Sequence, residues 1–274
     1  SYPDQPLGRS ILGPAERVSN FQKQDLSKFV SQNYGPDQMI LAAAGAVDHD
    51  AIVRQCEQIF GDLVPRDQKR LLAGSFTGGE VRHIKDLEQA HFALAFEGPN
   101  YTNSDIYTAQ VFATAFGGGM SSRLFQEVRE KRGLCYSIFA SAGAYSDTGT
   151  LTLYAGTSGD KVSELANITM DEIKRAADNM NENEVTRACI QMKAGLLMGL
   201  ESPSSRAERL ARMLSIWDRV PALDEVVEKI DGVTVNAVRS FAASMIGGSP
   251  AALALYGPVK DAPNVEELQA RLVA

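Results

Sequence analysis

The sequence predicts a layered α+β protein, an antiparallel-rich sheet with helices packed on one face. Three observations carry this. Two strand patterns lie close together near residue 90, a hairpin pattern follows at 137–157, and a long block of helical periodicity fills most of the remainder. Strands gathered first and helices gathered after argue against alternating parallel units. The chain has 274 residues, 44% apolar and 22% charged, enough for two domains with sizeable cores.

In order, Asn20 to Asn33 reads as one helix, with Phe21, Leu26, Phe29 and Val30 on a common face. Met39 to Val47 is a short apolar run with the length of a buried strand. Asp48 caps the next helix, in which Ile52, Val53, Cys56, Ile59, Phe60 and Leu63 keep helical spacing. Residues 64–80 mix Pro, Gly and charge without a period, so a linker is placed there, between a first unit at 1–63 and a second domain at 81–274.

The second domain opens with strands at Val81–Ile84 and Gln89–Phe96. Ser104 is the expected cap of a helix running to Phe116. Ser137–Tyr145 and Thr150–Thr157 form a hairpin around Ser146–Gly149. Further helices cover Lys161–Asp178, a stretch begun by the Asn181/Glu184 capping box, one begun by Ser202–Pro203, Leu223–Ile230 and Thr234–Ile246. Ala251–Tyr256 is a closing strand.

Composition excludes several classes. A net charge of −7 argues against a nucleic-acid-binding surface. No apolar run approaches the roughly 20 residues of a bilayer span. Cys56, Cys135 and Cys189 are odd in number and widely spaced, so they read as buried thiols of a reducing, cytoplasm-like compartment. His83 and His91 are eight residues apart without the helical spacing of a zinc-binding pair, and His49 sits at a helix start. No metal site is expected within the chain.

The densest chemistry lies in FGGGMSSRLFQEVREKRGLCY, residues 116–136. Gly117, Gly118 and Gly119 lack the lysine of a phosphate loop and are read, with Ser121 and Ser122, as clearance for a peptide. Leu124, Phe125 and Val128 mark the inward helix face, and Gly133 ends the helix. Arg129, in the last turn, and Tyr136, just beyond the reversal, then come close enough to offer several donors to a carbonyl or an oxyanion. The other reading makes Arg129, Lys131 and Arg132 cations at the helix C-terminus and Tyr136 a core aromatic.

The segment GGGMSSRLFQEVREKRGLCYS resembles the second-domain signature of the pitrilysin/insulinase zinc metalloproteases, which include the mitochondrial processing peptidases. PLGRSILGP near the start, the helix–strand–helix after it, QAHFALAF and ESPSSRAERLA extend the resemblance over most of the chain. It implies two similar α+β domains per half, arranged as a clamshell around peptide, with Arg129 and Tyr136 reaching substrate at a zinc site in the first domain. That site uses His-x-x-Glu-His, which this sequence lacks.

The expectation is therefore a first-domain tail and a whole second domain, inactive alone. Zinc would come from upstream sequence or a partner, either in a homodimer or from a zinc-bearing sister chain. A non-catalytic scaffold, as in the core subunits of the respiratory cytochrome bc complex, and a stand-alone peptide-binding module are the rival readings.

Overall fold

The computed structural model describes residues 1–66, 72–247 and 250–274. Five strands form one sheet in the order β1-β5-β2-β4-β3. They are β1 (Gly79–Ile84), β2 (Ala90–Gly98), β3 (Cys135–Ala144), β4 (Gly149–Thr157) and β5 (Ala251–Gly257). The hairpin β3–β4 closes around the expected turn. The closing strand β5 inserts between β1 and β2, parallel to β1 and antiparallel to β2. Every other pairing is antiparallel.

Alternation fixes which face is core. Ala90, Phe92, Leu94 and Phe96 of β2, Leu151, Leu153 and Ala155 of β4, and Leu253 and Leu255 of β5 are all buried. Against them pack α4 (Ile106–Gly117), α5 (Val162–Asn179) and α10 (Val265–Val273), and α9 (Val235–Ile246) packs on α4 and α5 within the same core. Each fully buried Phe, Leu or Met contributes roughly 1.5–3 kcal/mol. The opposite face carries His91, Phe139, Tyr154 and Tyr256, none of them buried.

Several expectations change. The helix foreseen at 20–33 starts later, as α2 (Lys23–Asn33), and a separate α1 (Ala15–Asn20) precedes it. The chain turns extended at Phe21 and Gln22, where the Gln22 N–H donates to Asp25 Oδ2 at 2.9 Å and restarts the helix. Met39–Val47 forms no strand: it has no ladder partner among the described residues. Met39, Ile40 and Leu41 instead line an apolar cleft with Pro36, Cys56, Phe60 and Leu63. Ser104 is not the cap of α4, because the helix begins later; the Asn103 side chain accepts from the Asp105 N–H at 2.8 Å and its carbonyl accepts from Ile106. Helices α1 and α10 were not foreseen.

Other local rules hold. Asp48 Oδ1 accepts from the Ala51 N–H at 2.7 Å and starts α3 (His49–Phe60). Asn181 and Glu184 exchange both capping-box bonds at the start of α6 (Glu182–Gly199). Ser202 caps α7 (Pro203–Trp217), and α8 (Leu223–Asp231) follows.

The described residues divide into two compact units. One holds Ser1–Pro3, Ala73–Gly195 and Ala222–Ala274; the other holds Asp4–Leu72 and Leu196–Pro221. The first therefore contains the whole sheet and the 116–136 segment. Part of the expected linker, residues 67–71, lies outside the described residues.

Candidate functional site

The glycine run ends α4 against β3. A Cβ at Gly117 would lie 2.4 Å from the Ala140 backbone nitrogen, so only glycine permits this approach. None of the three glycines uses left-handed backbone. The Gly118 carbonyl accepts from Gln191 Nε2 at 2.9 Å, and the Ser121 carbonyl from Arg187 Nη2 at 3.4 Å, so α6 holds the loop. Ser122 is buried, and its hydroxyl has no hydrogen-bond partner among the described residues. Gly118, Met120 and Ser121 are exposed, Gly119 is half-buried, and Gly117 and Ser122 are buried.

The segment then winds as a π-helix over Phe125–Glu130, a widened turn that often marks functional positions. It is tied down on one side by Arg123. That guanidinium donates to both Glu184 oxygens at 2.9 and 2.8 Å and to Asn179 at 2.8 Å. Glu184 thus completes a capping box and grips the segment at once. On the other side Glu127 takes Lys131 and Arg132, and the Lys131 bond, then Arg132, holds its carboxyl below the usual range against the cost of burial.

Those pairings separate the three cations of the last turn. Lys131 and Arg132 are committed to Glu127, whereas the nearest ion-pair partner of Arg129 is Glu130, at the 4.0 Å limit. The Arg129 guanidinium lies 4.4 Å from the Phe125 ring centroid and 5.2 Å from that of Tyr136. Two aromatic contacts orient it by cation–π attraction while leaving its N–H edge unoccupied.

Tyr136 reaches this position by two backbone devices. Gly133, at φ +60°, reverses the chain; its N–H donates to the Arg129 carbonyl at 2.9 Å and the Leu134 N–H to the Val128 carbonyl at 3.1 Å. The next residues enter β3 through a bulge. Cys135 pairs with Thr157 and Ser137 with Gly156, so Tyr136 is the extra residue. A bulge re-aims side chains, and Tyr136 is 79% exposed. It is not the core aromatic of the second reading. Among the described residues neither its hydroxyl nor the Arg129 guanidinium has a hydrogen-bond partner. The neighbouring Cys135 thiol is pushed up to about 11 by burial, opposed by Arg129, so it stays neutral.

The histidines are engaged elsewhere. His91 Nδ1 lies 2.8 Å from the Tyr154 hydroxyl, and His83 meets the Tyr256 ring at 6.5 Å. Among the described residues no three His, Cys, Asp or Glu side chains gather to hold a metal ion, so no zinc site is built from these groups. No helix among them is long and apolar enough to cross a membrane.

A family model described as the peptidase M16 inactive domain matches residues 20–192. The chain belongs to the M16 peptidase family. The match contains the glycine run, Arg129 and Tyr136. A Rickettsia felis protein named an uncharacterized zinc protease is 36% identical over 258 residues, covering 94% of this chain and 62% of that protein. A probable mitochondrial-processing peptidase subunit beta from Arabidopsis thaliana is 34% identical over 281 residues, covering 97% and 53%. The chain thus spans only part of the M16 relatives it matches.

Among solved structures, a chain of complex III2 from Candida albicans with Inz-5 bound superposes with a TM-score of 0.89 at 23% identity, covering 99% of this chain and 67% of that one. A protease from Helicobacter pylori gives 0.78 at 19%, covering 89% and 61%. Both share the fold. The M16 signature was legible in the sequence; the π-turn, the bulge and the Phe125 stack were not, since each depends on register and not on residue type.

Proposed function

We propose that this chain is the substrate-holding part of an M16 zinc metalloendopeptidase that acts on extended peptides. The observation that carries the reading is the Arg129–Tyr136 pair: two hydrogen-bond donors, side by side, oriented by aromatic contacts and without a hydrogen-bond partner among the described residues. Such donors hold a peptide carbonyl and gain strength as negative charge develops on its oxygen. Gly118, Gly119 and Ser121 give the peptide clearance, while the buried Gly117 and Ser122 shape the loop from beneath. The activated water belongs to zinc held by sequence beyond this chain or by a partner subunit, in a homodimer or beside a zinc-bearing sister chain.

The fold shared with the complex III chain favours a second reading, a scaffold subunit without turnover. Peptide cleavage by the full-length protein separates them. An enzyme cleaves a quenched-fluorescent peptide in a chelator-sensitive way, and Arg129→Ala or Tyr136→Phe lowers kcat/KM by about 10- to 1,000-fold at unchanged zinc content. Undiminished turnover in both variants rejects the role assigned to the pair; no turnover in the wild type supports the scaffold.

A further inference from the structure

Across the helix-free sheet face runs a continuous ladder of rings. His83 on β1 meets Tyr256 on β5 at 6.5 Å between centroids, Tyr256 meets His91 on β2 at 6.1 Å, His91 meets Tyr154 on β4 at 6.1 Å, and Tyr154 meets Phe139 on β3 at 5.1 Å. Every strand contributes one member or more. Strand registers align the row: His83 opposes Tyr256, Tyr256 opposes His91, and His91 opposes Gly156. Gly156 in turn opposes Ser137, beside the bulged Tyr136. The rings end at Phe139 on β3, three residues along that strand from the bulged Tyr136.

Gly156 leaves a gap in it. A Cβ there would meet only Gln89 Oε1 at 3.5 Å and the Tyr154 hydroxyl at 3.7 Å, both ordinary contacts, so the surface between His91 and Tyr136 is open. From the bulge to Tyr256 is three strand spacings, about 14 Å, or roughly four residues of extended peptide.

Charge on this face is unlike that of the chain. The protein carries 34 acidic and 27 basic residues. Yet the charged side chain in contact with a ladder ring at the Tyr256 end is Lys85, whose Nζ donates to the Tyr256 hydroxyl at 3.3 Å, beside the rings of His83 and His91. Glu97 lies six residues from His91 along β2, roughly 20 Å off. Asp86 and Glu88 share the β1–β2 connection with Lys85, and of the three it is Lys85 that contacts the Tyr256 ring and hydroxyl. Phenol and ammonium donors at one end, with Arg129 at the other, complement negative charge.

We propose that this ladder is a specificity surface for extended peptides bearing an acidic side chain, with the carboxylate received by Lys85 and Tyr256. The inference rests on reading Arg129 and Tyr136 as peptide contacts and adds a preference some four residues away. Rings offer apolar area to the intervening peptide, and Lys85 supplies the charge.

The test uses the full-length protein with metal removed by chelator, and fluorescein-labelled twelve-residue Ala/Ser peptides carrying one Glu, Gln or Lys at successive positions. Anisotropy titrations are expected to show the best-placed Glu peptide binding about three- to tenfold tighter than its Gln counterpart, with Lys weakest and the preference shrinking at high salt. Lys85→Met and Tyr256→Phe should abolish the Glu preference, weakening the Glu peptide to the level of the Gln one. Gly156→Val, which fills the gap, should weaken both peptides. Arg129→Ala should also weaken both. Equal Glu and Gln binding, with Arg129→Ala still weakening each, overturns the ladder and leaves the pair's role standing. A Glu preference sensitive to Lys85→Met, with Arg129→Ala silent, keeps the ladder and overturns the pair's role.

Discussion

Glu172 is 2% exposed on α5, with the exposed Arg175 guanidinium at 2.6 Å. Burial raises its carboxyl above the ordinary value, against the pull of Arg175 and with a push from Glu127. A raised carboxyl favours the folded state fully below the ordinary range and loses that contribution as pH rises through its raised value. Glu172→Gln, which mimics the neutral form, is therefore expected to gain denaturation midpoint over wild type between pH 4 and pH 7.5. A difference that does not grow with pH contradicts the assigned cause. Residues of this kind were invisible in the sequence, where Glu172 reads as one more helix carboxylate; only tertiary packing of α5 buries it. Arg129, Tyr136 and the Gly133 reversal that brings them together were legible; the Phe125 stack and the bulge that bares Tyr136 were not.

At the scale of elements, close approach decides where the candidate loop sits. Gly117→Ala puts a methyl 2.4 Å from the Ala140 backbone, and α4 must move off β3, at a cost of about 1–3 kcal/mol. Gly156→Ala meets nothing closer than 3.5 Å and is expected within about 0.5 kcal/mol of wild type, because strand propensity favours the change slightly. Urea midpoints measure both; equal effects would contradict the stated packing. Three helix starts were legible from local signals: the Asp48 cap, the Asn181/Glu184 box and the Ser202–Pro203 start all depend on neighbours three or four residues apart. Met39–Val47 shows the converse. Its apolar run met the strand criterion, but a strand exists only with a partner, and the run instead lines a cleft.

For the whole molecule, the antiparallel-rich sheet with helices on one face was legible from the order of patterns. The insertion of β5 between β1 and β2 was not, because long-range pairing leaves no local trace. Nor was the return of the first residues. Tyr2 is buried, stacks edge-on against Phe76 at 5.7 Å, and its hydroxyl contacts buried Thr148 at 2.8 Å and donates to the Gly149 carbonyl at 3.2 Å. Ser1–Pro3 thus belong with the sheet they precede by more than seventy residues. Tyr2→Phe keeps the ring and strands those partners, so a loss of about 1–3 kcal/mol is expected in chemical denaturation. No loss would mean the hairpin turn does not depend on this tether.

The central claim is that Arg129 and Tyr136 act together on the peptide. A double-mutant cycle on kcat/KM of the full-length protein tests it most directly, with zinc content measured for each variant. The account predicts a large loss in Arg129→Ala and in Tyr136→Phe, and a double variant little worse than the poorer single one, because either change dismantles one shared donor site. Losses that multiply independently, or no loss in either single variant, would contradict it.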